Sequence, residues 1–344
     1  MIPKILLAAL AAAAVSSAHA AAPAGGYPVS LPRMGSVRPS GGFWAFKEKV
    51  NRESTCPSNV RQCRKTGRVE NFKNAGLAIR GQKHGPFKGA FFNDSDVYKV
   101  AEGLAYELAL FPDEGMRRDL DGLVENFAFA QEPDGYVYTP RPLKLRYERV
   151  GPHRWYCDDA HELYCMGHMI EAAVAHFETT GKRDFLDVAR RAADMMARTF
   201  GAGEGKIWFM PGHEEVELAL CKLYRATGDR KYLDTALTFL ETRGMPVKDR
   251  RGVVKRGFPG NPAYYQDHKP VKAQREAVGH SVRATYLYSA MCDAGVLAGD
   301  AELLAAVDAI WNDMVSAKMH LTGGLGSDRR IEGFGKAYDL PNDS

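Results

Sequence analysis

The sequence predicts an all-α protein built from stacked helical hairpins, and three observations carry that reading. First, apolar residues recur at helical spacing from Asp94 onward: Val97, Ala101, Leu104, Ala105 and Leu108, then Leu120, Leu123, Val124, Phe127 and Ala128. Second, one unit recurs over 173–200, 219–240 and 290–314: an apolar helix end, a glycine stop, and a second helix. Third, the repeats are degenerate and unequally spaced, and the loops before their first helices hold aromatic and histidine residues. That pattern favours a closed α/α toroid with a central funnel for a small molecule over an open solenoid with a protein-binding groove.

The elements follow in order. Residues 1–20 read as a secretory signal, with Lys4 as the positive start, Ile5–Val15 as the apolar run, and Ala18-His19-Ala20 as the small-x-small cleavage site. The run is too short to span a bilayer comfortably. The expectation is an exported protein, periplasmic or secreted, that is not an integral membrane protein after cleavage. Residues 21–90 are expected to be irregular and to wrap the domain, because Gly, Pro, Ser and charged residues interrupt every periodic stretch. Residues 91–344 are the helical domain. Its stops, Gly181, Gly228 and Gly299, are each followed four residues later by Phe185-Leu186, Tyr232-Leu233 or Leu303-Leu304. A glycine there suits a left-handed cap that lets the chain reverse. Asp184 and Asp229 suit the next helix N-terminus.

Composition excludes some functions. The 46 Lys and Arg are interleaved with 42 Asp and Glu, for a net charge of +4, and no basic stripe suggests nucleic acid. Six cysteines are too few and too scattered for a disulfide framework. Cys56 and Cys63, close together in a polar stretch of an exported chain, are either a local disulfide or two free thiols. Cys165, Cys221 and Cys292 sit in helical apolar patterns and read as small core residues. With no CxxC pair, no structural zinc site is assigned within this chain. There is no P-loop, dinucleotide fingerprint or nucleophile elbow.

Three histidines stand at or near the starts of successive inner helices. His161 follows Trp155-Tyr156-Cys157-Asp158-Asp159 and opens the run HELYCMGH. His168, two turns further along, is too far from His161 to share a metal and reads as a packed core histidine. His213 lies in PGHEE at 211–215, where Glu214 and Glu215 suit the positive end of a helix dipole. His280 ends EAVGH, after Asp267-His268-Lys269-Pro270. A ring of neutral imidazoles can donate to and accept from sugar hydroxyls. In the tail, Glu332 stands among glycines, in a loop that is either mobile or tightly turned. It is a general acid/base if burial raises its pKa, or else a solvated carboxylate near Arg329 and Arg330.

Together with FFNDSDVYK at 91–99, Gln131–Tyr136, QDHKPV at 266–271 and YDLPND at 338–343, these motifs resemble glycoside hydrolase family 127, which includes β-L-arabinofuranosidases. The resemblance implies an (α/α)6 barrel followed by β-sandwich domains, and retaining removal of a terminal β-L-arabinofuranose. It implies sugar contacts for His161, His213 and His280 and a general acid/base role for Glu332. It also implies Zn2+ holding a cysteine thiolate nucleophile, with a Glu-x-Cys ligand pair soon after the LPND motif. That pair and the later ligands are not in these 344 residues. The expectation is therefore a toroid incomplete at its C-terminus, without the last barrel helices and β-sandwiches, and inactive by itself. Two alternatives remain open: a sugar epimerase or isomerase on an α/α toroid, using the histidines as acid and base, and a non-catalytic carbohydrate-binding module.

Overall fold

The computed structural model describes residues 27, 32, 34–246 and 261–342. The proposed signal over residues 1–20 lies outside the described residues. Among those described, the chain is helical, with isolated β-bridges and no strand. Among the described residues, no helix is long and apolar enough to cross a membrane.

Four hairpins form the body: α4 (Asp94–Leu110) with α5 (Glu114–Ala130), α6 (Glu162–Thr180) with α7 (Asp184–Thr199), α8 (Val216–Thr227) with α9 (Arg230–Thr242), and α10 (Ser281–Ala298) with α11 (Ala301–Ala317). The first members pack side by side, α4 on α6, α6 on α8 and α8 on α10. Their partners form an outer row in which α5 packs on α7 and α7 on α9. This is the layering of an α/α toroid. Burial follows the layering. Every residue of α6 from Glu162 to His176 is buried, as an inner helix with neighbours on all sides requires. The outer α7 buries only one stripe, including Phe185, Leu186, Val188, Ala189 and Ala192.

The hairpin turns form as the glycine pattern predicts. Gly181, Gly228 and Gly299 cap α6, α8 and α10 at φ of 74, 74 and 69°, a region L-residues avoid. Asp229 and Asp300 then cap α9 and α11, accepting from the Lys231 amide at 3.3 Å and from the Glu302 and Leu303 amides at 3.1 Å.

The expectation of an irregular 21–90 segment is corrected. A helix α1 (Gly42–Val50) runs through a π turn (Asn51–Thr55) into α2 (Cys56–Lys65), and α3 (Arg68–Ile79) follows. Among the described residues of that stretch, 34–41 and 80–90 stay irregular. The periodicity is hidden because the inward faces are not aliphatic. Helix α2 buries Cys56, Val60 and Cys63, and α3 buries Asn71 and Asn74 beside Phe72 and Ala75. Those asparagines earn their burial by pinning the next loop. Asn71 exchanges two hydrogen bonds with the backbone of Lys88 at 2.8 and 3.0 Å, and Asn74 accepts from Gly85 N–H at 3.0 Å. Cys56 and Cys63 are free thiols. Two helical turns separate them by about 10 Å along one axis, beyond the reach of a disulfide.

Candidate active site

The site is built where the inner helices begin. His161 is the residue before α6 and adopts φ 63°, left-handed for a non-glycine residue. Such strain persists only where surrounding contacts enforce it. Here Asp159 supplies them. Its backbone carbonyl accepts from His161 Nδ1 at 2.8 Å, and its buried carboxylate pairs with Arg283 at 2.8 Å and Arg149 at 2.7 Å. His213 lies three residues before α8, and its Nδ1 meets the Glu214 carbonyl at 2.8 Å. His280 is the N-cap of α10, and its Nδ1 accepts from the Arg283 amide at 3.4 Å.

These hydrogen bonds settle the tautomers. A carbonyl only accepts, so His161 and His213 carry the proton on Nδ1, and each leaves Nε2 as a lone-pair acceptor. His280 accepts at Nδ1 and therefore carries its proton on Nε2. That Nε2 donates to Glu332 Oε2 at 3.2 Å. All three rings are held neutral. Burial drives the His161 pKa down to about 4 and that of His213 well below the usual imidazole value. It also lowers that of His280, and the Arg283 guanidinium pushes all three the same way.

The structure brings the four sequence-predicted residues together. The rings of His161 and His213 are 5.3 Å apart, those of His213 and His280 6.1 Å, and Glu332 touches His280. Phe92 and Tyr264 extend the row at 5.6 Å from His161 and 5.4 Å from His280. The recess between His161 and His213, floored by Tyr164 and Phe209, has room for a water molecule and not for a sugar ring.

Glu332 departs from one expectation. Its side chain is 82% exposed, a solvated carboxylate rather than a buried one. The loop itself is tightly turned. Glu332 has φ 51°, Ser281 N–H and Oγ both donate to its carbonyl, at 3.0 and 2.8 Å, and Phe334 N–H reaches Gly279 at 2.8 Å. Arg330 pairs with Asp328 at 2.7 Å, leaving the Glu332 carboxylate to His280.

The chain matches the family profile of the β-L-arabinofuranosidase GH127 catalytic domain over residues 36–344. The chain belongs to the GH127 β-L-arabinofuranosidase family. It is 38% identical over 273 residues to a non-reducing end β-L-arabinofuranosidase of Bifidobacterium longum subsp. longum, covering 77% of this chain and 42% of that protein. Its fold matches a GH127 β-arabinofuranosidase structure with a TM-score of 0.83 and 43% identity, over 92% of this chain and 48% of that one. It also matches the GH127 β-L-arabinofuranosidase Ara127N of Geobacillus stearothermophilus T6 with a TM-score of 0.80 and 38% identity, over 88% of this chain and 48% of the other. The chain thus spans about half the length of these relatives.

The zinc–cysteine group implied by the GH127 resemblance does not fit the residues present. Five of the six cysteines are buried and none pairs with another. Among the described residues no cysteine stands in a group of three side chains close enough to share a metal ion.

Sequence reasoning missed Arg283, Asp159 and Arg243. Arg283, in the first turn of α10, donates to both the Asp159 carboxylate and the Gly212 carbonyl, and so ties the three histidine-bearing segments together. The signal was an arginine in an otherwise mouth-forming motif, three residues after His280. Glu214 and Glu215 are also reassigned. Both are fully buried and precede α8 rather than lining its first turn. Glu214 pairs with the buried Arg243 at 2.7 Å, and Glu215 lies 3.2 Å from His168.

Proposed function

We propose that these residues form the sugar-holding half of a glycoside hydrolase site for terminal β-L-arabinofuranosides, cleaved with retention of configuration. The observation that carries the reading is the convergence of three neutral imidazoles and Glu332 at the starts of the inner helices. The Nε2 lone pairs of His161 and His213 accept from sugar hydroxyls, and Phe92 and Tyr264 offer apolar faces to the ring. Glu332 protonates the leaving-group oxygen and later takes a proton from water, as an acid/base of a retaining enzyme must. His280 Nε2–H holds Oε2, which leaves Oε1 for the proton. The nucleophile is assigned to no residue of this chain.

The test is binding of methyl β-L-arabinofuranoside to the 344-residue chain, followed by saturation-transfer NMR. His161→Ala and His213→Ala are each expected to weaken binding by about tenfold, the value of one hydrogen bond to a neutral group, and Glu332→Gln to spare it. In a protein that also carries the Glu-x-Cys segment, Glu332→Gln should lower turnover by about 10²–10⁴-fold. Unchanged binding in both histidine variants would remove the assignment of this mouth.

A further inference from the structure

Two turns down α6 from the mouth lies a second cluster that the sugar site does not use. His168 and Glu171, at i and i+3, share one face of α6, and Glu215 comes from the segment entering α8. One ligand atom from each of the three lies within 4.8 Å of the others. His168 Nδ1 is 3.2 Å from Glu215 Oε1 and 3.8 Å from Glu171 Oε2. None of these approaches has hydrogen-bond geometry. His168 is 2% exposed with neither ring nitrogen hydrogen-bonded, and Glu215 is fully buried with the Glu171 carboxylate as its only hydrogen-bonding neighbour among the described residues. Burying that much polar capacity unsatisfied is costly, so the cluster calls for an occupant.

We propose that His168, Glu171 and Glu215 form a site for a divalent transition-metal ion such as Zn2+ in the interior of the helical ring. Two ligand atoms about 2.1 Å from a tetrahedral zinc stand roughly 3.4 Å apart, and the observed 3.2 and 3.8 Å bracket that separation. One imidazole nitrogen and two carboxylate oxygens suit a borderline cation, and the i, i+3 spacing of His168 and Glu171 puts both on one face of α6.

The surroundings agree. Lys222 on α8 pairs with the other Glu171 oxygen, Oε1, fixing that carboxylate while leaving Oε2 toward the site. Tyr164 separates the two sites, with its ring 4.2 Å from His213 above and 4.6 Å from His168 below. The ion would bind α6 to the start of α8 beneath the mouth. It shares no ligand with the zinc–cysteine set implied by the family resemblance.

The 344-residue chain, stripped with EDTA and dialysed, is titrated with ZnCl2 by calorimetry, and its metal content is read by mass spectrometry. One zinc per chain is expected, together with a raised Tm. Glu215→Gln and His168→Gln should each weaken binding by about a hundredfold or more, and His213→Gln should leave it intact. Failure of the chain to retain zinc at micromolar concentration overturns the proposal, because the cluster then holds only a shared proton. Loss of zinc in His213→Gln but not in Glu215→Gln also overturns it, by moving the ion to the mouth. Should the cluster variants fail to fold, anomalous scattering at the zinc edge from wild-type crystals decides. A peak between the three side chains supports the site, and its absence there refutes it.

Discussion

Replacing Arg243 with methionine tests how the mouth is held from below. Arg243 is completely buried at the end of α9, and its guanidinium is 2.7 Å from Glu214 Oε1 and 3.2 Å from Glu217 Oε1. It also donates to the Tyr265 and Pro211 carbonyls at 2.8 and 2.7 Å. Methionine keeps most of the volume and removes the charge and the donors. Breaking one buried ion pair costs about 3–5 kcal/mol, because the survivor is left without a partner. Here two carboxylates and two carbonyls lose theirs, so about 5 kcal/mol is expected. Against a total stability of about 5–15 kcal/mol, that leaves the variant marginal or unfolded. Urea denaturation followed by far-UV circular dichroism measures the loss. Because Arg243 also anchors Pro211, two residues before His213, sugar affinity should fall in whatever fraction remains folded. The triple variant Arg243→Met, Glu214→Gln, Glu217→Gln removes the stranded charges and should recover most of the loss. A single-variant loss below about 1 kcal/mol, or a triple variant no more stable than the single, refutes the electrostatic argument.

Stability should also fall with acidification through His161. Its folded pKa is about 4 because of burial, against an ordinary 6.5. Above pH 6.5 the ring is neutral in both states. Between 6.5 and 4 only the unfolded chain takes up the proton, so about 3 kcal/mol is lost as pH falls through that window. Urea midpoints at pH 7, 5.5 and 4.5 should show a steeper decline in wild type than in His161→Gln, and parallel profiles would contradict the assignment. The thiols give an independent check on the N-terminal helices. Denatured without reductant, the chain should yield all six cysteines to Ellman's reagent, whereas four would reveal the Cys56–Cys63 bridge that the helix geometry forbids.

Much of the molecule was legible before any coordinates. The helical spacing over 94–130, the glycine stops at 181, 228 and 299, and the histidines at or near the helix starts are local signals, set by side-chain periodicity and backbone preference. The motifs around His161, His213, His280 and Glu332 carried the family as well. Helices α1–α3 were not legible, because their buried faces use cysteine and asparagine and the hydrogen bonds that justify those choices come from the following loop.

What the sequence determined by itself is the class of helix, where each one stops, and which residue types stand near the funnel. What only the tertiary structure decided is the state of those residues. Arg283 reaches Asp159 across 124 positions. It helps keep the imidazoles neutral, while Glu214 finds Arg243, His168 faces Glu215 and Glu332 stays in water. Periodicity records which face of an element is apolar. The charge and protonation of a buried polar group depend on which distant partner comes within a few ångströms of it, and no local pattern carries that information.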